Sequence, residues 1–331
     1  MAAYPPEISS ARPKSGEFEA LFQGVFAALV TPFDATLRVD TTQFQRVVHY
    51  AVDAGCAGLL VGGHTGEHSS LDPDEMDLLV RTAREVVRGR VPVVQGVYAE
   101  STGQAIARAH RAKANGADAL LIIPPWLFGF VGEADGDAVV QFYRDVTNDV
   151  AMPCLAFCYG PAYGFYPSVV AAIARLPNIV GLKVGGPLHH YEACVNAVDG
   201  AAALLCCADS NLYGCLSVGG EGAMAALASI APHWCVEMFA CLRRGDVRQG
   251  RAINALLFQL VQFVFEGSFL RMPLRAKTVL DVIGVLDGAF SRPPVQPLPV
   301  EEKAALTRAA HATGLYSLVH DHANGAIVAG S

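Results

Sequence analysis

Short apolar runs alternate with longer amphipathic stretches through the middle of the chain, and the alternation predicts strands and helices in turn. Residues 25–30 form the first apolar run, which ends at the turn Thr31-Pro32-Phe33. Asp40 then caps a helix, with Gln43 placed for a capping box, and Phe44, Val47, Val48, Ala51 and Val52 repeat at helical spacing. Residues 58–61 give the second strand. Asp72-Pro73-Asp74-Glu75 opens the next helix with a cap, a proline at the first helical position and a glutamate at the third. Further strands are predicted near 91–96, 119–123, 153–158, 180–184, 203–207 and 222–226. Helices over 102–115, 137–149, 166–175, 190–198 and 211–217 separate most of them. Strands joined by crossover helices run parallel. The pattern fits a closed (β/α)8 barrel, the TIM barrel of the α/β class, with a helical C-terminal part. An open doubly wound sheet is the competing architecture, and the first strand is not followed by its Gly-x-Gly-x-x-Gly turn. The expected organisation is a flexible arm over 1–20, the barrel over 21–230, C-terminal helices over 231–315 and a tail over 316–331.

Composition narrows the partners. The 331 residues are 52% hydrophobic and 17% charged, so a large core is available. A net charge of −7 without a basic stripe argues against a nucleic-acid partner. No apolar run approaches the ~18 residues of a membrane span, so no membrane partner is expected. Nine cysteines lack a C-x-x-C pair and metal-ligand spacing, and read as reduced thiols of a cytoplasmic protein. The N-terminal residues hold Pro5, Pro6 and Pro13 and lack the apolar stretch of a signal peptide.

One residue breaks the apolar pattern of the sixth strand. Lys183 ends the run Ile179-Val180-Gly181-Leu182-Lys183. A buried ammonium is costly unless paired, and desolvation turns the amine into a nucleophile towards carbonyls. A lysine that snorkels from a strand end is the alternative. Barrel chemistry sits at the C-terminal strand ends. There the sequence places Lys183 together with Gly62-Gly63-His64-Thr65-Gly66-Glu67-His68, Pro124-Pro125-Trp126, Phe157-Cys158-Tyr159-Gly160-Pro161 and Ala208-Asp209-Ser210-Asn211.

These segments, with Gly24-Val25, Leu29-Val30-Thr31-Pro32-Phe33, Gly96-Val97, Gly116-Ala117-Asp118-Ala119, Lys277 and Arg292-Pro293-Pro294, resemble the dihydrodipicolinate synthase and N-acetylneuraminate lyase superfamily of class I aldolases. The resemblance spans roughly residues 24–294. It implies an imine between Lys183 and the keto group of a 2-oxo acid, usually pyruvate, with no metal and no cofactor. It also implies that the Gly-rich turn holds the substrate carboxylate, with Gly63, Thr65 and Gly66 as binding positions. The same glycines also serve a tight strand-to-helix turn. Glu67 reads as structural, pairing within the turn. Gly222 on the eighth strand joins the substrate-binding candidates. The family commonly assembles as dimers of dimers, so a homo-oligomer is expected.

The proton-moving residues of the lysine-pathway synthase are absent. His64 stands where its first motif threonine is expected, Trp126 near one tyrosine, and Phe157 in the place of the strand-five tyrosine. The arginine after the Pro-Gly pair has no counterpart in Gly160-Pro161-Ala162-Tyr163. Tyr159 shares the face of Phe157, ~6.5–7 Å further along a straight strand, and reads either as the displaced tyrosine or as packing. His64 is the other candidate for proton transfer. His68 reads as structural, and His189-His190 as solvated. Asp209 reads equally as a helix cap or a substrate contact. Residues 124–126, 141–146 and 160–167 are similar to hydratase-aldolases acting on benzylidenepyruvates, and Trp126 would suit an aromatic or apolar aldehyde. The expected function is an imine-forming aldolase (a carbon–carbon lyase) acting on a 2-oxo acid and an aldehyde or imine, and not the lysine-pathway synthase. Hydration or dehydration on the same imine, and 2-oxo-acid binding without catalysis, are the alternatives.

Overall fold

The computed structural model describes residues 22–130, 135–265 and 267–323, so the expected arm over 1–20 lies outside the described residues. Eight strands close into a parallel barrel in sequence order. They are β1 (Gly24–Ala28), β2 (Gly58–Val61), β3 (Val93–Tyr98), β4 (Ala119–Ile123), β5 (Cys154–Cys158), β6 (Ile179–Val184), β7 (Ala203–Cys206) and β8 (Gly222–Ala225). Closure is made by β1 against β8, with Gly24 opposite Gly222.

Two apolar layers follow from strand alternation. One face packs under the helices: Leu59, Leu120, Ile122, Leu182 and Val184 are buried there. The other fills the barrel interior with Phe26, Leu60, Leu121, Leu155, Leu205 and Met224. Phe22 stacks on Phe26, their ring centroids 5.9 Å apart. The β5–β6 register jumps by one residue, so that Cys154 opposes Ile179 and Leu155 opposes Gly181. Beyond this bulge Leu182 and Val184 face the helices, which leaves Lys183 facing inward.

Helix starts follow their sequence signals. Asp72 accepts from the N–H groups of Asp74 and Glu75, and Glu75 returns a bond to the Asp72 N–H, a complete capping box. At Asp40 the carboxylate takes the Gln43 N–H, but the Gln43 amide bonds the same carboxylate instead of the Asp40 backbone. That box is therefore half formed.

Two expected boundaries move. The helix Pro232–Arg243 packs on β1 and completes the barrel wall, so the barrel does not end at 230. The tail expected from 316 begins as a helix, Leu315–Ala323, whose Leu315 is fully buried. Residues 324–331 lie outside the described residues.

The C-terminal helices also clamp the barrel mouth. Lys277, on the helix Met272–Val282, is fully buried. Its ammonium bonds the Glu67 carboxylate and the carbonyls of Phe290 and Thr31. Glu67 therefore reaches across to the C-terminal region, not within its own turn as the sequence implied. Arg292 bonds Glu75 in a fork at 2.5 and 2.7 Å and adds the carbonyls of Leu37 and Ser70. Removing one partner of a buried pair strands the other charge, which costs about 3–5 kcal/mol. Lys277→Met is expected to lose stability of that order in urea unfolding, and adding Glu67→Gln should recover part of it. Additive losses in the double variant would show that the two side chains do not act as a pair.

Candidate active site

Lys183 is 7% exposed, and its amine lies 4.3 Å from the centroid of the Phe157 ring. The two residues are direct partners across β5 and β6. Among the described residues no carboxylate is within ion-pair distance of this amine. An ammonium over an aromatic face gains about 2 kcal/mol or so when desolvated. Burial of a charge costs several. Burial therefore wins and lowers the Lys183 pKa, with Cys207, Asp209 and Cys206 opposing more weakly. The result favours a neutral, nucleophilic amine.

Aromatic rings line the way out from this amine. Phe157 lies 4.2 Å from Tyr159, Tyr159 lies 4.9 Å from Tyr163, and Tyr163 meets Trp126 at 5.8 Å, all between centroids. Trp126 is 51% exposed and ends this wall at the surface. Tyr159 and Phe157 do share a face, as the alternation predicts. The strand ends at Cys158, and Gly160 then takes φ +117°, a conformation that favours glycine and turns the chain away. The Phe157 carbonyl is held by the Tyr143 hydroxyl at 2.7 Å. Tyr143 is a core residue of the helix Gly136–Val150, and its spacing gives no hint of this task.

The turn after β2 supplies the opposite wall. Gly62 sits at φ +68°, and a side chain there would collide with Met76. The Gly66 N–H is bound to the Gly63 carbonyl at 3.1 Å and the Glu67 N–H to that of His64 at 3.0 Å. The Gly66 donor is thus committed within the turn, which corrects its expected use on a substrate. Among the described residues the N–H groups of His64 and Thr65 have no backbone acceptor, and Thr65 is buried. Two unspent donors beside a hydroxyl are what an anion requires.

His64 projects from this turn towards Phe157 and Tyr159, 5.8 Å from each ring centroid. Its Nε2 is 3.0 Å from the Tyr159 hydroxyl. Which of the two donates follows from the tautomer. Burial, with His68 and Lys183 nearby, pushes the His64 pKa down to about 3, so the ring is neutral at physiological pH. Burial raises the Tyr159 phenol far above its usual range. Both members of the pair are neutral and share one hydrogen bond.

Three expected residues do something else. Asp209 does not cap its own helix: its carboxylate accepts the Leu227 N–H at 2.7 Å and anchors the segment after β8. Burial raises its pKa to about 6. Gly222 opens β8 at its N-terminal end, where a side chain would strike the Gly24 backbone, so it serves barrel closure and not the mouth. His190, expected in solvent, is buried on the helix Leu188–Val198 with its Nε2 3.5 Å from the Cys194 sulfur. Sequence reasoning also missed Phe269, 6.1 Å from His64 and over 200 residues from it in the chain. Among the described residues no group of three or more His, Cys, Asp or Glu is placed to hold a metal ion. No single described helix is long and apolar enough to cross a membrane.

A parallel eight-stranded barrel with a buried lysine at the C-terminal end of β6 is the architecture of a lyase of the class I aldolase superfamily. The chain belongs to the dihydrodipicolinate synthetase family, whose model matches residues 21–313. It is 32% identical over 302 residues to the 4-hydroxy-tetrahydrodipicolinate synthase of Acidiphilium cryptum, covering 89% of this chain and 99% of the relative. To that of Hyphomonas neptunium it is 34% identical over 250 residues, 74% and 84% of the two chains. Among solved structures, chloride-inhibited dihydrodipicolinate synthase from Acinetobacter baumannii, complexed with pyruvate, superposes with a TM-score of 0.81 at 26% identity, covering 88% of this chain and 99% of that one. A structure described as the first monomeric dihydrodipicolinate synthase variant reaches 0.83 at 25% identity, covering 89% and 98%.

Burial of the two neutral imidazoles sets a pH dependence of stability. The pKa values of His64 and His68 are lowered to about 3 and about 4, below the 6.5 of a free imidazole. The unfolded chain binds more protons in that window, so stability is full above about 6.5 and is lost as pH falls towards 4. Asp209 works the other way between 3.8 and about 6, because its folded pKa is raised. The double variant His64→Gln/His68→Gln should show a flatter melting temperature between pH 6.5 and 4. An unchanged slope would mean that these rings are not buried neutral.

Proposed function

We propose that Lys183 forms an imine with the keto carbon of a 2-oxo acid such as pyruvate and makes or breaks a carbon–carbon bond to an aldehyde. The observation that carries this reading is the buried amine over Phe157, with no carboxylate at ion-pair distance among the described residues. An imine can be protonated and then withdraws electrons from the adjacent carbon, which lets a carbanion form there. The His64 and Thr65 N–H groups and the Thr65 hydroxyl would take the substrate carboxylate. The Tyr159–His64 pair stands beside the imine and moves the proton that C–C bond making or breaking requires.

The relatives are named for the lysine-pathway condensation. Our reading departs from that reaction at the acceptor. Its semialdehyde carries both an ammonium and a carboxylate. The segment Gly160-Pro161-Ala162-Tyr163 offers no cation to such a carboxylate. At the outer wall the Glu100 carboxylate accepts the Trp126 backbone N–H at 3.3 Å. Phe157, Tyr159, Tyr163 and Trp126 instead present a continuous apolar face, which suits an aldehyde with an aromatic or apolar end. Association of copies into a dimer or tetramer belongs to the same reading and is supported by the exposed Trp126, Leu127, Phe269 and Leu270.

Borohydride reduction with pyruvate present should add one stable adduct at Lys183, located by peptide mass. Lys183→Ala should abolish trapping and lower turnover roughly a thousandfold or more. Aryl aldehydes should be used with at least ~10-fold higher kcat/KM than aspartate semialdehyde. Absence of any adduct with short 2-oxo acids would sink the imine, and efficient use of the semialdehyde would sink the acceptor assignment.

A further inference from the structure

His68 is an imidazole at the mouth that this reaction leaves without a task. It follows Glu67 in the β2 turn and opens the short 3-10 helix His68–Ser70. Its ring meets His64 edge-on at 4.7 Å between centroids and Tyr98 at 4.8 Å. Its Nδ1 and Nε2 are both buried, and among the described residues neither has a hydrogen-bond partner. Leaving a buried polar atom unpaired costs about 1–3 kcal/mol. A histidine kept for packing alone would gain by replacement with an apolar ring. The Tyr98 hydroxyl does not serve it, being bonded to the Glu100 carboxylate. His68 also forms part of the wall of two clefts. One is lined by Met76, Gln95, Tyr98 and Arg108, the other by His64, Phe269 and Arg292. It is thus the ring that separates His64 from the cleft under Tyr98.

We propose that His68 passes protons between His64 and solvent in the cleft lined by Tyr98 and Arg108. This rests on the imine reading. Tyr159 takes a proton from the carbon next to the imine as its own hydroxyl proton passes to His64 Nε2, and the electron pair is held as the enamine. His64 then gives a proton to one nitrogen of His68, and His68 releases the proton on its other nitrogen to water, so no net charge remains on either ring. The relay requires the His68 ring to turn, because its two nitrogens are buried and without partners among the described residues in the resting structure. Burial, and then the charge of Arg108, oppose a lasting positive charge on it, which favours this concerted exchange over storage of a proton. His68 acts through His64 and is a positioning and relay residue, not one that touches substrate.

Pyruvate alone tests this without knowledge of the aldehyde. In D2O the imine–enamine step replaces the methyl protons of pyruvate by deuterium, and the loss of the methyl signal is followed by proton NMR. His68→Gln should slow this exchange tenfold or more while borohydride trapping at Lys183 stays at the wild-type level. In His68→Gly, added imidazole or 4-methylimidazole should restore exchange in proportion to its concentration. Exchange in His68→Gln within twofold of wild type would overturn the relay. So would a loss, in a variant that folds and traps normally, that no added imidazole restores. If wild-type protein itself traps no pyruvate, the imine reading fails, and that outcome is separate from a relay defect with trapping intact.

Discussion

Two lysines are buried in this barrel, and the difference between them organises the site. Lys277 meets a carboxylate and two carbonyls, so its charge is compensated, and it ties the C-terminal helices to the turn after β2. Lys183 meets an aromatic ring and no carboxylate within ion-pair distance among the described residues. The first arrangement spends the ammonium on structure. The second disfavours the ammonium and frees the lone pair. The two are also connected, because the Glu67 that holds Lys277 lies in the turn that carries His64, Thr65 and His68. The ion pair thus sets the wall against which the reactive amine works.

A site dry enough to lower the Lys183 pKa imposes the same condition on its neighbours. His64 and His68 are held neutral by burial, and Tyr159 is held protonated. Charged acids and bases are not needed at rest. Protons can pass between neutral groups along hydrogen bonds, and charge appears only when the imine itself is protonated. Low dielectric then makes the response of the neighbouring dipoles strong. The aromatic wall from Phe157 to Trp126 contributes to this dryness as well as to any recognition of an apolar aldehyde.

The strands and most helices were legible because each carries its own periodicity and caps. β4 matches its predicted span, and the Asp72 capping box forms as written. Lys183 was legible for a different reason: a cation in an apolar run is a local contradiction that only function or pairing resolves. What escaped depends on contacts distant in the chain. Nothing near Glu67 announces Lys277 as its partner, and nothing near His64 announces Phe269. Gly222 stands at the first position of its predicted strand, the end away from the mouth, so its own placement in the sequence argued against a substrate contact. Which helix the Asp209 carboxylate reaches depends on the segment after β8, which its own neighbours do not announce. His190 was misjudged because a histidine pair after a glycine turn looks solvated until the helix buries one face.

The likeness to synthases and the altered relay bear on different parts of the molecule. Identity of about a third over most of the chain reports the family and its scaffold, and a scaffold alone does not fix which substrate is used. The choice of acceptor and the path of the proton depend on a handful of side chains. Phe157, read from the sequence in the place of the family's strand-five tyrosine, lays its ring against the Lys183 amine. Tyr159, two residues on, is hydrogen-bonded to a histidine from the opposite wall. Tyr159 thus belongs to the aromatic wall through Phe157 and to the opposite wall through His64. One hydrogen bond joins the two sides of the mouth, so the proposed proton path and the proposed acceptor surface share a single residue.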